Sequence, residues 1–440
     1  MDMVCVSKII VLDDDPTGSQ TVHSCLLLME WDIETIRLGL RDKSSILFII
    51  TNTRALISEE AKKITQQVCH NLKIALENEN ITRFLIYSRF DSTLRGHYPL
   101  EIEIISNNFG EFDSHFFIPA FLEGGRKTIN SIQYLDDRVD LDPVHRTEFA
   151  KDSVFNYSHS YLPYYIEEKT KKLLKATDVG RLLLKDIRKG SLNKLMNLNS
   201  NRCIVVDAEH QSDLNYFAKD LQTAVNLGKK FLLCGAASML TSLAKIGKQP
   251  LENKNIQEYK YKNNPGIILV GSYSKKTTEQ LNDLLQQNNV LGLEINLKKL
   301  QDYLDNQSRF LTKFLDQIKT IHNSGKTVVI YTSRQQITFT SLEEKSNFEK
   351  LIFLLLTKIT QNLPSNISFL ISKGGTTSNN FLRTTLKLRS IRLLGQILPG
   401  CSIVKTSENN TLFPGLLILL FPGNVGDVKT LTNAYNILNK

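Results

Sequence analysis

Short apolar segments recur along this chain, and most of them end in a polar or glycine-rich loop that leads into a helical pattern. Residues 9–12, 84–87 and 267–270 are examples with the length of buried strands. Strands that alternate with helices in this way indicate parallel sheets covered by helices, and 440 residues are enough for more than one domain. We therefore predict an α/β protein with two domains, each a mostly parallel sheet flanked by helices.

Three consecutive aspartates, Asp13, Asp14 and Asp15, follow the first of these segments. Ligands of open α/β sheets bind at the carboxyl ends of the strands, which is where these side chains stand. Three like charges are costly there unless a metal ion, a proton or a cationic partner offsets them. The sequence therefore favours a functional site, although Pro16 and Gly18 also allow an acidic turn with no further role.

Two later loops carry polar side chains at comparable positions. Asp91, Ser92 and Arg95 follow one apolar segment, and Gly124 and Arg126 follow the next. The planar guanidinium of Arg95 suits a carboxylate or a phosphate, whereas the structural alternative is that Asp91 caps a helix and pairs with Arg95. Together with the aspartates, these loops predict a site for a small, polar, anionic ligand.

Three loops in the C-terminal third are rich in glycine or hydroxyl groups. Each follows an apolar segment and precedes a helical pattern, so that backbone amides at the start of the helix can hold phosphate oxygens. One such loop is a weak signal, but three at one predicted sheet edge indicate nucleotide phosphates. The residues concerned are Ser272, Gly374, Gly375, Thr376, Thr377, Gly423, Asn424 and Gly426.

One further glycine does not indicate a phosphate site. Gly325, Lys326 and Thr327 resemble the end of a P-loop, but Thr320 stands where that motif requires its first glycine. The tripeptide also precedes the apolar segment 328–331 instead of following it. Its amides would therefore point away from the edge of the sheet where ligands bind.

The residues and the order of these loops resemble the four-carbon acid sugar kinase family, a group of kinases in carbohydrate metabolism. The resemblance implies that residues 1–246 bind a sugar acid, that 266–440 bind ATP, and that the active site lies in the cleft between the two domains. The polar stretch 247–265, which lacks periodicity, is the expected linker. The matching segments are 12–18, 91–97, 119–121, 123–126, 270–272, 372–375 and 421–427.

The same resemblance implies the reaction and the site residues. In the implied reaction the γ-phosphoryl group of ATP passes, with Mg²⁺, to a hydroxyl of the sugar acid. Asp14 and Asp15 match the paired aspartates of the family, so one is expected to act as the base or to bind the metal ion. Arg95 matches the arginine of the substrate loop, and the glycine-rich loops match the nucleotide contacts. The other substrate-binding residues expected are Asp13, Asp91, Ser92, Gly124 and Arg126.

The chain departs from the family pattern close to the aspartates. Asp13 adds a third carboxylate, and Pro16 replaces an apolar residue. Gln20, Thr21 and His23 stand where small residues are usual. These differences place the chain in a separate branch, so the sequence predicts the type of reaction and leaves the identity of the sugar acid open.

Two other functions stay open from the residues alone. A phosphatase of the haloacid-dehalogenase type would use Asp13 as nucleophile and Asp15 as acid. However, Leu431 occupies the position where a further aspartate is expected after Asp427, and the glycine-rich loops would have no role. A sugar-acid sensor without catalytic activity is the second alternative, and turnover of ATP that depends on an added acid would exclude it.

Composition narrows the expected partners and location. The formal net charge is +9, but the lysines are scattered and no arginine-rich cluster or RNA-binding aromatic motif occurs, so we expect a small anionic substrate and no nucleic acid. Six widely spaced cysteines fit a reducing cytoplasm. We expect no secretory signal and no membrane-spanning segment. A homodimer is a further hypothesis.

Residues 121–165 differ from the rest of the N-terminal half. They contain two prolines and several tyrosines and histidines, and they predict a long loop region or lid. His145 and His159 lie in this segment. Exposed loop histidines are usually passive, so neither is a strong candidate for ligand contact.

Overall fold

The computed structural model describes residues 8–19, 21–136, 141–245, 256–260, 264–272, 274–334 and 342–440. The chain divides into two compact units, Met1–Lys248 and Gln249–Lys440. Most of the stretch predicted as a linker, 247–265, lies outside the described residues, as does Gln20.

The first unit is built on a parallel sheet. In the described residues its strands are ordered β2-β3-β1-β4-β11-β5-β10-β9, and every neighbouring pair is parallel. The strands of this unit are β1 (Lys8–Asp13), β2 (Leu26–Leu28), β3 (Ile46–Ile50), β4 (Phe84–Arg89), β5 (Ser114–Ile118), β6 (Arg126–Ile129), β7 (Ile132–Asp136), β8 (Leu141–Pro143), β9 (Gly180–Leu182), β10 (Arg202–Val206) and β11 (Phe231–Gly235).

Helices cover this sheet, which explains why its central strands are nearly continuous apolar runs. All five residues of β3 are buried, as expected for a strand packed on both faces. Helix α2 begins at Ser58 with two glutamates in its first turn and buries Val68 and Leu72, which are one turn apart. The helices are α1 (Ile33–Arg41), α2 (Ser58–Asn78), α3 (Leu100–Phe109), α4 (Leu162–Lys169), α5 (Leu184–Arg188), α6 (Leu192–Met196), α7 (Gln211–Asn226) and α8 (Ser238–Ala244).

The prediction of a long loop over 121–165 is wrong. This segment contains the small antiparallel sheet β6-β7-β8 and the first turn of α4. Its tight turn is formed by Asn130 and Ser131, which have φ angles of 53° and 64°. Two-residue hairpin turns require such positive angles and usually contain glycine. The absence of glycine at this turn is why the hairpin was not predicted.

The second unit has a mostly parallel sheet, as predicted. Its described strands are ordered β13-β14-β12-β15-β18-β17-β16. The pairs β18-β17 and β17-β16 are antiparallel, and the other neighbouring pairs are parallel. The strands are β12 (Ile267–Val270), β13 (Val290–Ile295), β14 (Thr327–Thr332), β15 (Phe369–Lys373), β16 (Ser390–Leu398), β17 (Cys401–Lys405) and β18 (Leu417–Phe421). The helices are α9 (Ile256–Tyr259), α10 (Lys275–Leu284), α11 (Leu300–Asp305), α12 (Gln307–Asn323), α13 (Leu342–Thr360), α14 (Gly375–Asn379), which continues as a π-helix (Asn380–Thr385), and α15 (Thr430–Asn439).

Each sheet has a point where the chain reverses the direction in which it adds strands. In the first unit, β2 and β3 lie on one side of β1, whereas β4 and the strands of this sheet that follow it lie on the other side. In the second unit, β13 and β14 lie on one side of β12, whereas β15 and the strands that follow it lie on the other side. Ligands of open α/β sheets bind at such switch points. The aspartate loop follows β1, and the glycine-rich loops follow β12 and β15.

None of the helices described in either unit is long and apolar enough to cross a bilayer.

Candidate functional site

Asp13, the last residue of β1, has a fully buried carboxyl group. The sheet register sets it beside Arg89 on β4, and Arg89 Nη1 lies 3.4 Å from Asp13 Oδ1. Oδ1 also accepts the backbone N–H of Asp15, whereas Oδ2 has no hydrogen-bond partner among the described residues. Burial raises the pKa of Asp13 to about 8, so this carboxyl group is protonated at neutral pH.

Gly18 is required for this packing. The Asp13 carboxyl group occupies the space where the first side-chain atom of any larger residue at position 18 would lie. The loop is also fastened to the turn between β11 and α8, because Thr21 Oγ1 donates a hydrogen bond of 2.8 Å to the carbonyl of Ala237. The acidic loop is therefore rigidly held instead of being an exposed turn.

Asp14 and Asp15 are bound by one arginine that was not predicted. Arg54 Nε donates to Asp14 Oδ2 at 2.9 Å, Arg54 Nη2 donates to the other oxygen of Asp14, and Nη1 lies 3.2 Å from Asp15 Oδ2. Arg89 Nη1 adds a contact of 3.3 Å to Asp14. These two arginines provide the cationic partners that three adjacent carboxylates require.

Asp15 is the more accessible of these two carboxylates. Its side chain is 18% exposed, compared with 2% for Asp14. Burial acts to raise the pKa of Asp15, but Arg54, Arg89 and two hydrogen bonds from Thr17 together hold it below its ordinary value. The loop therefore presents one ionised carboxylate that a ligand can reach, beside a protonated carboxyl group that it cannot.

Glu101 is a further buried acid at this site that sequence reasoning missed. It lies in the first turn of α3 and accepts hydrogen bonds from Thr53 Oγ1 at 2.6 Å and from Ser88 Oγ at 3.5 Å. Burial, together with the nearby charge of Asp14, raises its pKa to about 7. Only the fold brings Glu101 and Thr53 together, so no local sequence pattern marks this pair.

The loop after β4 has the pairing that we gave as its structural alternative. Arg95 donates from Nε to Asp91 Oδ2 at 2.7 Å, and Thr93 donates to the same carboxylate. Burial would raise the pKa of Asp91, but Arg95, Arg54 and the Thr93 hydrogen bond hold it well below its usual range. The outer face of Arg95 makes a longer contact of 3.7 Å with Asp152.

Three consecutive carbonyl groups of this loop accept hydrogen bonds from the 121–165 segment. Gln133 Nε2 donates to Ser92 at 2.9 Å, Tyr157 Oη to Thr93 at 2.7 Å, and Tyr165 Oη to Leu94 at 2.8 Å. Leu94 is fully buried and has a φ of 66°, a conformation that costs energy for a branched side chain. The segment predicted as a lid therefore holds the Asp91–Arg95 loop in a strained shape.

Arg126 begins β6 and is buried near Asp91 and Arg95. Its Nη1 donates to the carbonyl of Gly124 at 2.6 Å, and burial lowers its pKa to about 10. A side chain at Gly124 would collide with the ring of Phe121. The structure therefore brings together all the residues of the first unit that were predicted to bind substrate, although it pairs several of them with one another.

His145, by contrast, bonds only to Ser160 among the interactions described for it.

The glycine-rich loops of the second unit lie against one another. The backbone N–H of Gly374 donates to Phe421 at 2.8 Å, and Ser274 Oγ and Thr277 Oγ1 donate to the carbonyl of Gly423 at 3.1 and 3.0 Å. Gly374 has a φ of 118°. A Cβ atom there would lie 3.3 Å from the Cβ of Ser272, so the loops after β12 and β15 are close enough to contact one ligand.

The other predicted nucleotide contacts lie in the same loops. Gly375, Thr376 and Thr377 form the start of α14, and Asn424 and Gly426 belong to the loop after β18. That loop is held by a buried residue that was not predicted, Gln280, whose Nε2 donates to the carbonyls of Val425 and Asp427.

Lys373 also was not predicted as a site residue. Its side chain is fully buried, donates to the carbonyl of Pro422 at 2.8 Å and lies 4.0 Å from the centre of the Phe421 ring. Its backbone carbonyl accepts the N–H groups of Gly271 and Ser272. Lys373, the last residue of β15, thus contacts the loops after β12 and β18 and directly precedes the third glycine-rich loop.

Within the described parts of the chain, no three His, Cys, Asp or Glu side chains are grouped so that they could hold a metal ion by themselves. Mg²⁺ in phosphoryl-transfer sites needs only one or two carboxylates, because phosphates and water supply its other ligands. The accessible carboxylate of Asp15, with Asp14 beside it, fits that smaller requirement.

Comparison with known proteins assigns both units. The family model for a sugar-binding N-terminal domain matches residues 9–243, more than half of the chain, and the model for a nucleotide-binding C-terminal domain matches residues 267–431. The chain belongs to the four-carbon acid sugar kinase family. The resemblance stated from the sequence is thereby confirmed.

Curated relatives within the four-carbon acid sugar kinase family are distant. A D-threonate kinase from Bordetella bronchiseptica is 29% identical over 121 residues, which are 28% of this chain and 27% of that protein. A D-erythronate kinase from Heliobacterium modesticaldum is 25% identical over 224 residues, 48% of each chain. The chain thus spans less than half the length of these curated relatives.

Solved structures support the fold. A protein from Salmonella typhimurium LT2, provisionally described as a tRNA synthase, has a TM-score of 0.66 at 17% identity and covers 97% of this chain and 98% of its own. A Haemophilus influenzae protein has a TM-score of 0.61 at 16% identity, with 98% and 100% covered. At these identities the likeness concerns the fold of this four-carbon acid sugar kinase family member and not its substrate.

The protonated state of Asp13 predicts a pH dependence of stability. The native state keeps this proton up to about pH 8, whereas an unfolded aspartate loses it near pH 4, so stability falls as the pH rises between these values. In Asp13→Asn, whose side chain is neutral at every pH, Tm should fall less between pH 5 and pH 9 than it does in the wild type. Thermal melts without divalent cations, with the exposed Asp178→Asn as control, test this. An equal drop in Asp13→Asn and the wild type would contradict the assignment.

The hydrogen bond from Tyr165 to Leu94 predicts a loss of stability. Tyr165→Phe would leave the buried carbonyl without its donor and should lower the free energy of unfolding by about 1–3 kcal/mol. The adjacent Tyr164 is 52% exposed, so Tyr164→Phe should change the free energy of unfolding little. Urea unfolding of both variants gives the comparison, and equal effects would show that the Tyr165 hydroxyl does not support the loop.

Proposed function

We propose that this protein is an ATP-dependent kinase that transfers the γ-phosphoryl group to a hydroxyl of a small sugar acid. The observation that carries this proposal is the ionised, accessible Asp15 among arginines at the β1/β4 switch point, in the part of the chain that matches the sugar-binding domain. The names of the two curated relatives, D-threonate kinase and D-erythronate kinase, suggest a four-carbon acid.

Asp15 is the better candidate for direct contact with the reacting groups. A base or metal ligand must reach the substrate, and Asp15 is more exposed than Asp14. Asp14 is buried and bound at both oxygens by Arg54, so it suits the positioning of Arg54 and Asp15. If Mg²⁺ binds here, it would offset negative charge on the phosphates during transfer.

Arg95 can still receive the carboxylate of the substrate. Asp91 binds its Nε and its Nη2, whereas among the described residues its outer Nη1 makes only the 3.7 Å contact with Asp152. The Arg95 side chain is 22% exposed. We infer that the carboxylate of the sugar acid takes the place of Asp152 at Arg95. A guanidinium already fixed by Asp91 loses little conformational freedom on binding, which favours affinity.

The nucleotide would bind at the β12/β15 switch point of the second unit. Ser272, Gly374 and Gly423 approach one another there, and α10 begins directly after the loop that contains Ser272, so the N-terminus of this helix favours the binding of phosphate oxygens. Direct transfer then requires that the terminal phosphate meets the hydroxyl of an acid bound at the Asp15 loop.

The phosphatase alternative conflicts with the chemistry of the aspartate loop. Its nucleophile, Asp13, would have to be ionised and accessible, but it is fully buried and its pKa is raised. Its acid, Asp15, would have to be protonated, but its pKa is lowered. The sensor alternative predicts binding without turnover, so measuring turnover separates it from a kinase.

The most informative experiment is a coupled ADP-release screen with Mg²⁺ over aldonic and oxo-acids of three to six carbons. A kinase should release ADP only when a suitable acid is present. Release of phosphate from sugar phosphates in the absence of nucleotide would instead support a phosphatase. Binding of an acid without ADP release, for every acid and nucleoside triphosphate tested, would support a sensor.

Loss of the Asp15 carboxylate is expected to slow turnover. Asp15→Asn keeps the shape of the side chain but removes the base or metal ligand, so kcat should fall about a hundredfold or more while ATP still binds. Asp14→Asn should also slow turnover, because Arg54 loses its fixed partner. The exposed Asp178→Asn is the control for removal of one carboxylate. Near-normal kcat in both Asp14 and Asp15 variants would contradict the proposed mechanism.

Gly374→Ala is expected to weaken ATP binding. The added methyl group would lie 3.3 Å from the Cβ of Ser272, and the backbone φ of 118° is unfavourable for alanine. Gly325 has a comparable φ of 80° but open space around it, so Gly325→Ala is a matched control for backbone strain. Calorimetry should show an affinity loss of about tenfold in Gly374→Ala only. Equal ATP affinities in the two variants would argue against this position of the phosphates.

A further inference from the structure

Arg334 reaches the nucleotide loops from a strand that the sequence analysis did not connect with them. It lies two residues beyond β14, and β14 is the parallel neighbour of β12, so their carboxyl ends are adjacent. Nη2 of Arg334 donates to the carbonyl of Ser272 at 2.5 Å, and Nε donates to Thr278 Oγ1 at 3.2 Å. The guanidinium is therefore fixed against the loop after β12 and the first turns of α10.

One nitrogen of this guanidinium remains unused. Arg334 Nη1 is buried and has no hydrogen-bond partner among the described residues. A buried donor without an acceptor is costly, and such a group in a native structure calls for a ligand or another explanation.

The electrostatic surroundings point to an anion as that ligand. Lys373, which connects the three glycine-rich loops, is fully buried, and burial together with the charges of Lys276 and Arg334 lowers its pKa to about 7. For Arg334 itself, burial lowers the pKa, and only Tyr331 and Glu294 act against this. Three basic side chains, Lys276, Arg334 and Lys373, are thus grouped near the loop of Ser272, at the place where phosphate oxygens are expected.

We propose that Arg334 contacts a phosphate group of the bound nucleotide through Nη1 while its other two nitrogens hold Ser272 and Thr278. This inference rests on the proposed nucleotide site in the second unit, and it adds a side-chain cation to a set of contacts otherwise made by backbone amides and hydroxyls. Arginine suits the role because its planar group can bind the protein and the phosphate at the same time.

The test is displacement of a fluorescent ATP analogue by three competitors: ATP, tripolyphosphate and adenosine. Arg334→Met should weaken ATP and tripolyphosphate about tenfold or more, the loss expected for one charge-assisted hydrogen bond, and should leave adenosine within about twofold. Arg334→Lys should recover part of the affinity for tripolyphosphate, because it restores the charge. Arg309→Met, which removes an exposed arginine of α12, is the control for the net charge of the unit.

Other results would overturn the inference. If adenosine weakens as much as tripolyphosphate, Arg334 acts only by positioning the Ser272 loop. That interpretation is supported further if Thr278→Val, which removes a protein partner of Arg334 but not its charge, reproduces the whole effect. Unchanged affinity for all three competitors would also overturn it. If the wild-type chain binds neither ATP nor the analogue, the proposed function fails as well, which distinguishes that case from failure of Arg334 alone.

Discussion

The first unit depends on how the charges of three consecutive carboxylates at the end of a buried strand are offset. Two unit charges 4 Å apart repel by about 4 kcal/mol at the effective dielectric constant near a protein surface, so the loop is unstable without compensation. Asp13 is neutral because it keeps its proton, and Arg54 and Arg89 bind Asp14. Arg89 is the last residue of β4 and Arg54 lies in the turn that follows β3, and these two strands flank β1. The same contacts that allow the loop to be buried leave one carboxylate, Asp15, ionised and accessible.

Much of this arrangement could be predicted from local sequence. Apolar segments followed by polar loops indicated the parallel sheets, and the loops with Asp13 to Asp15 and with Asp91 to Arg95 were placed correctly at strand ends. Arg54, Arg89 and Glu101 were not predicted, because their roles depend on which strands are neighbours. The order β3-β1-β4 is set by contacts between residues about 40 to 75 positions apart, and a single sequence does not reveal it. The hairpin after Arg126 was missed for a local reason, namely a turn without glycine.

In the second unit, too, some site residues could be predicted from local sequence and others could not. The glycine-rich loops were recognisable because positive φ angles and close approach between loops require glycine, as at Gly374. Lys373 and Arg334 were not recognisable as part of the site. A lysine in an apolar strand and an arginine after another strand have many ordinary explanations, and only the adjacency of β14, β12, β15 and β18 brings them to one place. The features that local conformation requires were therefore predictable, whereas the charges that complete each site were not.

The central claim is that the carboxylate loop of the first unit and the glycine-rich loops of the second serve one phosphoryl transfer. Phosphorus NMR of a reaction with ATP, Mg²⁺ and an accepted sugar acid tests it most directly, because the signal identifies where the phosphoryl group goes. The account predicts a new phosphate monoester in an amount equal to the ADP formed, with little inorganic phosphate. ADP formed together with inorganic phosphate, and without any monoester, would contradict it.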